Sequence, residues 1–361
     1  MRGETMKAAV VHAFGEPLAI VDLPIPEPGP GQVLVKIRAS GVCHTDLHAA
    51  DGDWPVKPKL PLIPGHEGVG FVTAVGPDVH SVRIGDCVGV PWLHSACGEC
   101  DYCATEWETL CKDQQNTGYT RNGTFAEYTL ADADYVIPIP EGTELVEVAP
   151  ILCAGVTVYN GLKRTEARKG QWVAISGIGG LGHMAVQYAR LMGFKVAAVD
   201  IDDEKLQFAT ALGAALTVNG RTEDPGDVLQ RRIGGAHGVL VTAASVKAYE
   251  QAYRMLRPGG CLTMLGLAAG TMALPVYDTV INAITVRGSV VGSRRIMREA
   301  MEFASHGRIK AAVRREKLEN INQVLERLRR GDFEGRFVLD FGGPDFAYDD
   351  NDRIPPPQAW A

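Results

Sequence analysis

The stretch from Gly170 to Asp200 leaves this chain few ways to fold. Residues 171–176 (QWVAIS) are a short apolar run that breaks into Gly177-Ile178-Gly179-Gly180-Leu181-Gly182. Leu181, Met184, Ala185, Tyr188, Ala189 and Met192 then recur at helical spacing, and Gly193 stands where a helix C-cap belongs. A second apolar run, 195–200, ends on Asp200. Strand, G-x-G-x-x-G turn, helix, and strand ending in an acid make up the unit that brings a pyrophosphate to a helix N-terminus. There, unpaired N–H groups and the helix dipole favour anions. Gly177, Gly179, Gly180 and Gly182 are therefore candidate cofactor-binding residues. Asp200 is placed to accept hydrogen bonds from ribose hydroxyls. A carboxylate there opposes a 2′-phosphate, which favours NAD over NADP.

The pattern continues in the same style. Strands are expected over 215–219, 238–243, 261–266 and 286–291, with helices over 203–212, 227–232 and 245–256. Six continuous apolar strands alternating with helices predict an α/β fold, a doubly wound six-stranded parallel sheet. Residues 7–150 read differently, as short β-rich runs such as 33–37, 70–75 and 87–90 between glycines and prolines, with no helix of ordinary length. After Ser293 come expected helices over 296–304 and 318–329 and a strand over 335–341. A chain of 361 residues fits two domains. We expect a mainly β domain over 1–153 with a metal lobe near 93–113, the dinucleotide-binding domain over 154–291, a return to the first domain over 292–343, and a solvated tail over 344–361.

The net charge is −7, which gives no footprint for a phosphate backbone, so nucleic acid is not expected as a partner. No apolar run is long enough to cross a bilayer, and no membrane partner is expected. The first residues lack the apolar core of a secretory signal, which points to a cytoplasmic protein with reduced thiols. Cys97, Cys100, Cys103 and Cys111 form C-x2-C-x2-C-x7-C, a set that can enclose one structural zinc without an open position. An iron–sulfur site is the rival reading, without a second cluster motif to support it. Cys87 and Cys261 sit in apolar strands and read as inert core thiols.

Three further stretches carry metal-ligating types: 41–48 (GVCHTDLH), 65–76 (GHEGVGFVTAVG) and 152–159 (LCAGVTVY). Spacing alone does not bring them together. Their residues, the four-cysteine lobe and the order of elements resemble the zinc-dependent medium-chain alcohol dehydrogenases, in particular the compact microbial ethanol dehydrogenases. The resemblance spans about residues 7–341. It implies that the β domain is GroES-like, and that Cys43, His66 and Cys153 bind a catalytic zinc whose fourth position is open. Two zinc ions per chain follow, one catalytic and one structural. Asp46 would orient His66, and Glu67 would either ligate transiently or serve as a structural carboxylate. Lys205 would lie on the ribose side of NAD, His44 and Arg336 on its pyrophosphate, and Thr157 near its nicotinamide.

By the same resemblance, the reaction is reversible oxidation of short-chain primary alcohols to aldehydes, by hydride transfer from a zinc-bound alkoxide to NAD. The proton would leave through Thr45, a cofactor ribose hydroxyl and His48, whose imidazole type titrates near neutrality. Trp54 and Trp92 would narrow the substrate pocket to small alcohols. The family also implies a homotetramer paired through the edge strand near 286–291. A polyol or secondary-alcohol dehydrogenase is the nearest alternative. A non-catalytic zinc or redox-regulatory protein is the alternative of another class, and it leaves the glycine turn and the relay pair unexplained.

Overall fold

The computed structural model describes residues 4–331 and 335–342. In chain order its strands are β1 (Thr5–Val10), β2 (Ala19–Pro24), β3 (Gln32–Val42), β4 (Gly68–Val75), β5 (Cys87–Val90), β6 (Leu93–Ser95), β7 (Gln115–Asn116), β8 (Tyr128–Asp132) and β9 (Ile137–Pro138). Then come β10 (Trp172–Ser176), β11 (Lys195–Asp200), β12 (Leu216–Asn219), β13 (Ala236–Val241), β14 (Leu256–Met264) and β15 (Thr285–Gly288). The last two are β16 (Val313–Glu316) and β17 (Arg336–Asp340). The chain divides into two compact units. One runs to Cys153 and resumes at Gly292; the other is Ala154–Val291.

In the first unit a seven-stranded sheet runs β16-β17-β3-β4-β5-β9, with β8 also on β3. The long β3 is its spine: its first half pairs with β8 and its last four residues pair with β17. Val33, Val35 and Ile37 alternate along β3 onto one face, where they meet Val72, Val88 and Val90. The β1–β2 ribbon closes a second core with Phe125, Ile321, Val324 and Phe337. Beyond β3 the chain turns into the helix His44–Asp51, which Gly52 ends in the left-handed region (φ 62°). This helix was not expected from the sequence. Of its eight residues only Leu47, Ala49 and Ala50 are apolar, too few for a strong stripe, and its start is set by the Asp46 carboxylate accepting from Cys43 N–H at 2.8 Å.

The second unit is a six-stranded, wholly parallel sheet in the order β12-β11-β10-β13-β14-β15. That is the dinucleotide-binding order, and its strand sequence reverses beside β10, the strand that leads into the glycine turn. Several boundaries differ from the sequence expectation. The helix Val246–Arg254 stops earlier, because β14 starts at Leu256 and passes through Pro258 with an irregular register against β13. β15 is shorter than 286–291, and the helix Val276–Ile281 was unread. The helix Ala154–Arg164 was also unread, since Val156, Thr157, Val158 and two glycines give it low intrinsic propensity. Burial decides there: eight of its residues are buried.

Back in the first unit, Ser293 caps the helix Arg294–Ser305, and β16, the helix Ile321–Arg330 and β17 follow. The expected tail over 344–361 lies outside the described residues. No single helix among the described residues is long and apolar enough to cross a membrane.

Candidate active site

Cys43 follows β3 as the N-cap of the helix, His66 and Glu67 precede β4, and Cys153 follows a short 3-10 turn, Ala149–Leu152. These four come together: one ligand atom from each lies within 4.8 Å of all the others. The Cys43 and Cys153 sulfurs are 4.0 Å apart, too far for a disulfide. That spacing is close to the ~3.8 Å edge of a tetrahedron with zinc–sulfur bonds of about 2.3 Å. Asp46, fully buried, fastens two of the ligand stretches. Its Oδ1 accepts from His66 Nδ1 at 2.9 Å and from Gly65 N–H at 3.0 Å, while Oδ2 holds the Cys43 backbone. With Nδ1 so engaged, His66 Nε2 faces the cluster and has no hydrogen-bond partner among the described residues.

The electrostatics suit a cation. Cys43 is held well below the usual thiol range, first by the hydrogen bond with Cys153, against burial, and then by the charges of Arg336 and His66. Its partner Cys153 is pushed up by the same hydrogen bond and by burial. Burial works against a charged His66, and the Asp46 carboxylate outweighs it, so this ring sits well above the ordinary histidine value. Burial pushes the Glu67 carboxyl up while Arg336 pulls it back. One Glu67 oxygen pairs with Arg336 and the other is unpartnered. Gly41 makes room for Glu67: a Cβ there would lie 1.8 Å from Glu67 Oε2. A buried imidazole nitrogen without a partner, two converging thiols and an orphan carboxylate oxygen form a donor set that a zinc ion satisfies.

Thr45 Oγ1 lies 3.8 Å from Cys43 Sγ. His48 follows one turn later on the same helix and is partly exposed. Trp92 meets the His66 ring edge-on at 5.3 Å, and Trp54 packs against Trp92, its ring 6.4 Å from that of Trp92. Tyr119 packs against both tryptophans, at 5.4 and 5.7 Å. Sequence reasoning missed Tyr119, and it missed Asp53, whose carboxylate meets His48. The aspartate has a retrievable signal, its place five residues after a histidine singled out for proton transfer. The tyrosine has none.

In the lobe, Cys97, Cys100, Cys103 and Cys111 form the second group whose ligand atoms all lie within 4.8 Å. Neighbouring sulfurs are 3.6 to 3.9 Å apart, again tetrahedral edges for one ion. Cys87 and Cys261 belong to neither group; burial pushes Cys87 up to about 11. All eight cysteines are free thiols.

In the second unit Gly177 has φ +96°, a conformation that favours glycine, and a Cβ on Gly182 would lie 1.9 Å from the Gly177 carbonyl. Gly179 borders open space, and Gly180 completes the turn. Asp200 closes β11 and accepts from Ile178 N–H at 2.6 Å and Ile201 N–H at 2.7 Å, which ties the glycine turn to the strand end. The half-buried Lys205 stands on the helix Asp203–Ala211 after it, and Thr157 on the helix Ala154–Arg164. In the first unit His44 is exposed at the start of its helix. Arg336 is buried on β17, and its Nε is without an acceptor among the described residues.

Residues 29–141 match the alcohol dehydrogenase GroES-like domain family, and residues 180–306 match the zinc-binding dehydrogenase family. The chain is 60% identical over 336 residues to an alcohol dehydrogenase of Moraxella sp., which covers 93% of this chain and 99% of that one. It is 54% identical over 334 residues to an alcohol dehydrogenase of Geobacillus stearothermophilus, covering 92% and 98%. Its structure is similar to that of the alcohol dehydrogenase of the archaeon Aeropyrum pernix, with TM-score 0.85 and 34% identity over 92% of this chain and 99% of that one. It is also similar to acetophenone reductase from Geotrichum candidum, solved with NAD, with TM-score 0.84 and 29% identity over 93% and 97%.

Proposed function

The chain belongs to the zinc-binding medium-chain alcohol dehydrogenases, and on that premise we propose that it oxidises short-chain primary alcohols to aldehydes reversibly with NAD. The convergence of Cys43, His66 and Cys153, with the imidazole Nε2 unpartnered, carries this reading. Zinc bound there supplies a Lewis acid that lowers the pKa of an alcohol hydroxyl. NAD supplies the hydride acceptor. The protein's own part is to hold and to move. Cys43 and Cys153 bind as thiolates, His66 binds through Nε2, and Asp46 keeps its ring turned. Glu67, balanced by Arg336, keeps a carboxylate oxygen in reserve beside the ligands. Thr45 takes the alcohol's proton at Oγ1, and His48 releases it to water at Nε2.

Gly177, Gly179, Gly180 and Gly182 leave the backbone open to a pyrophosphate, and Asp200 selects NAD through the ribose. Lys205 serves the ribose side and Thr157 the nicotinamide side, while His44 and Arg336 serve the pyrophosphate. Trp92, whose ring meets His66, and Trp54, packed against Trp92 and His48, limit the alcohol to about two to four carbons in our reading. The eight free thiols favour a cytoplasmic setting.

The test is the absorbance of reduced nicotinamide, followed with ethanol, butanol, hexanol and a secondary alcohol. We expect turnover with NAD that falls with chain length and is lower for the secondary alcohol. Cys43→Ala should abolish turnover while NAD still binds. Preference for the secondary alcohol would move the protein to the other branch of its family, and activity retained in Cys43→Ala would overturn the ligand set.

A further inference from the structure

The structure carries one feature that the reaction above does not use. The Asp53 carboxylate lies with both oxygens 3.0 Å from His48 Nδ1. The His48 ring is stacked on Trp54, with centroids 5.2 Å apart and planes 25° apart. The loop that carries these two residues is pinned further on, where the Tyr119 hydroxyl donates to the Val56 carbonyl. His48 is thus held in plane by an indole and at one nitrogen by a carboxylate.

We propose that Asp53 is a positioning residue for proton release, fixing His48 in the tautomer that has Nδ1 protonated and Nε2 free. An ionised carboxylate only accepts hydrogen bonds, so the nitrogen facing it carries the hydrogen. In the neutral ring the lone pair is then at Nε2, the state that a proton acceptor needs. Asp53 is half-exposed, with 51% of its side chain accessible, so solvent screens its charge. Its contribution is therefore geometric: it selects one ring nitrogen. This rests on the relay role given to His48 above.

The experiment is a single turnover of the zinc- and NAD-loaded enzyme, with proton release followed by a pH indicator in wild type, Asp53→Ala, Asp53→Asn, His48→Gln and the double variant Asp53→Ala/His48→Gln. Asp53→Ala should slow proton release about tenfold, with KM for ethanol and for NAD within about twofold of wild type. Asp53→Asn, whose amide oxygen also accepts from Nδ1–H, should recover most of the rate. In the His48→Gln background, Asp53→Ala should cost nothing further, as expected for two residues acting as one unit. Unchanged proton release in Asp53→Ala, a loss additive with His48→Gln, or failure of the asparagine to rescue would each overturn the role of Asp53. An unchanged rate in His48→Gln itself would instead overturn the relay, a separately readable result.

Discussion

At the scale of single residues, burial sets behaviour that no motif records. His94 in β6 is 8% exposed, and its Nδ1 has no partner among the described residues. Burial, helped by the charge of Arg121, holds its ring down to about 4. As pH falls, the unfolded chain takes up this proton near 6.5, well before the native ring does. The contribution to stability is therefore complete above about pH 6.5 and is lost progressively towards pH 4, by on the order of 3 kcal/mol in all. Denaturant unfolding across that range should show this acid limb in wild type and a flatter one in His94→Gln. Parallel limbs would mean that the native ring is hydrated. His94 is invisible in the sequence because one histidine in a short strand has neither spacing nor partner to mark it. Cys43, His66 and Cys153 were little better off as residues: 110 positions separate the two thiols, and a family pattern, not their spacing, linked them. The Asp46 carboxylate that joins the Cys43 and His66 stretches is a tertiary fact.

At the scale of elements, the cysteine lobe and the helix Ala154–Arg164 differ most in how far local sequence specifies them. The lobe has one helical turn, Asp101–Ala104, and one 3-10 turn, Glu108–Leu110, while Tyr102, Trp107 and Leu110 are exposed. It buries little apolar surface, so its shape rests on the four thiols and on two ion pairs, Glu108 with Arg294 and Glu106 with Arg295. Cys103→Ala should lower zinc content from two equivalents per chain to one and open the lobe to limited proteolysis, with NAD binding retained. A lobe still protected with one zinc per chain would mean that the ion pairs hold it unaided. Four clustered thiols are a local code, which is why this element could be read directly. The helix Ala154–Arg164 could not, because its β-branched residues read as strand and only packing in the second unit outweighs that preference. β16 was missed for the converse reason: Arg314, Arg315 and Glu316 conceal a strand whose place is set by pairing with β17.

At the scale of the whole molecule, the parallel sheet of the second unit ends on β15, which pairs only with β14 among the described strands. Beside it in sequence, Val276, Tyr277, Val280 and Ile281 of the helix Val276–Ile281 are 64–76% exposed. An open strand edge and an apolar helix are a liability in a lone chain, and a second copy would cover both symmetrically. We therefore propose a homo-oligomer. Sedimentation should give a mass that is a multiple of 38.8 kDa, and Val280→Glu with Ile281→Glu should reduce it. A wild-type mass of one chain would remove the proposal.

The sequence alone determined the strand–turn–helix unit around Gly177–Gly182, the parallel α/β class and the four-thiol lobe. Each is written in contiguous residues, where backbone periodicity and short-range chemistry act directly. Only the tertiary structure decided that Cys43, His66 and Cys153 share one centre and that Arg336 answers Glu67. Contacts between distant positions depend on how β3, β4 and β17 pair, and that pairing is set by the burial of whole faces, which no local pattern encodes.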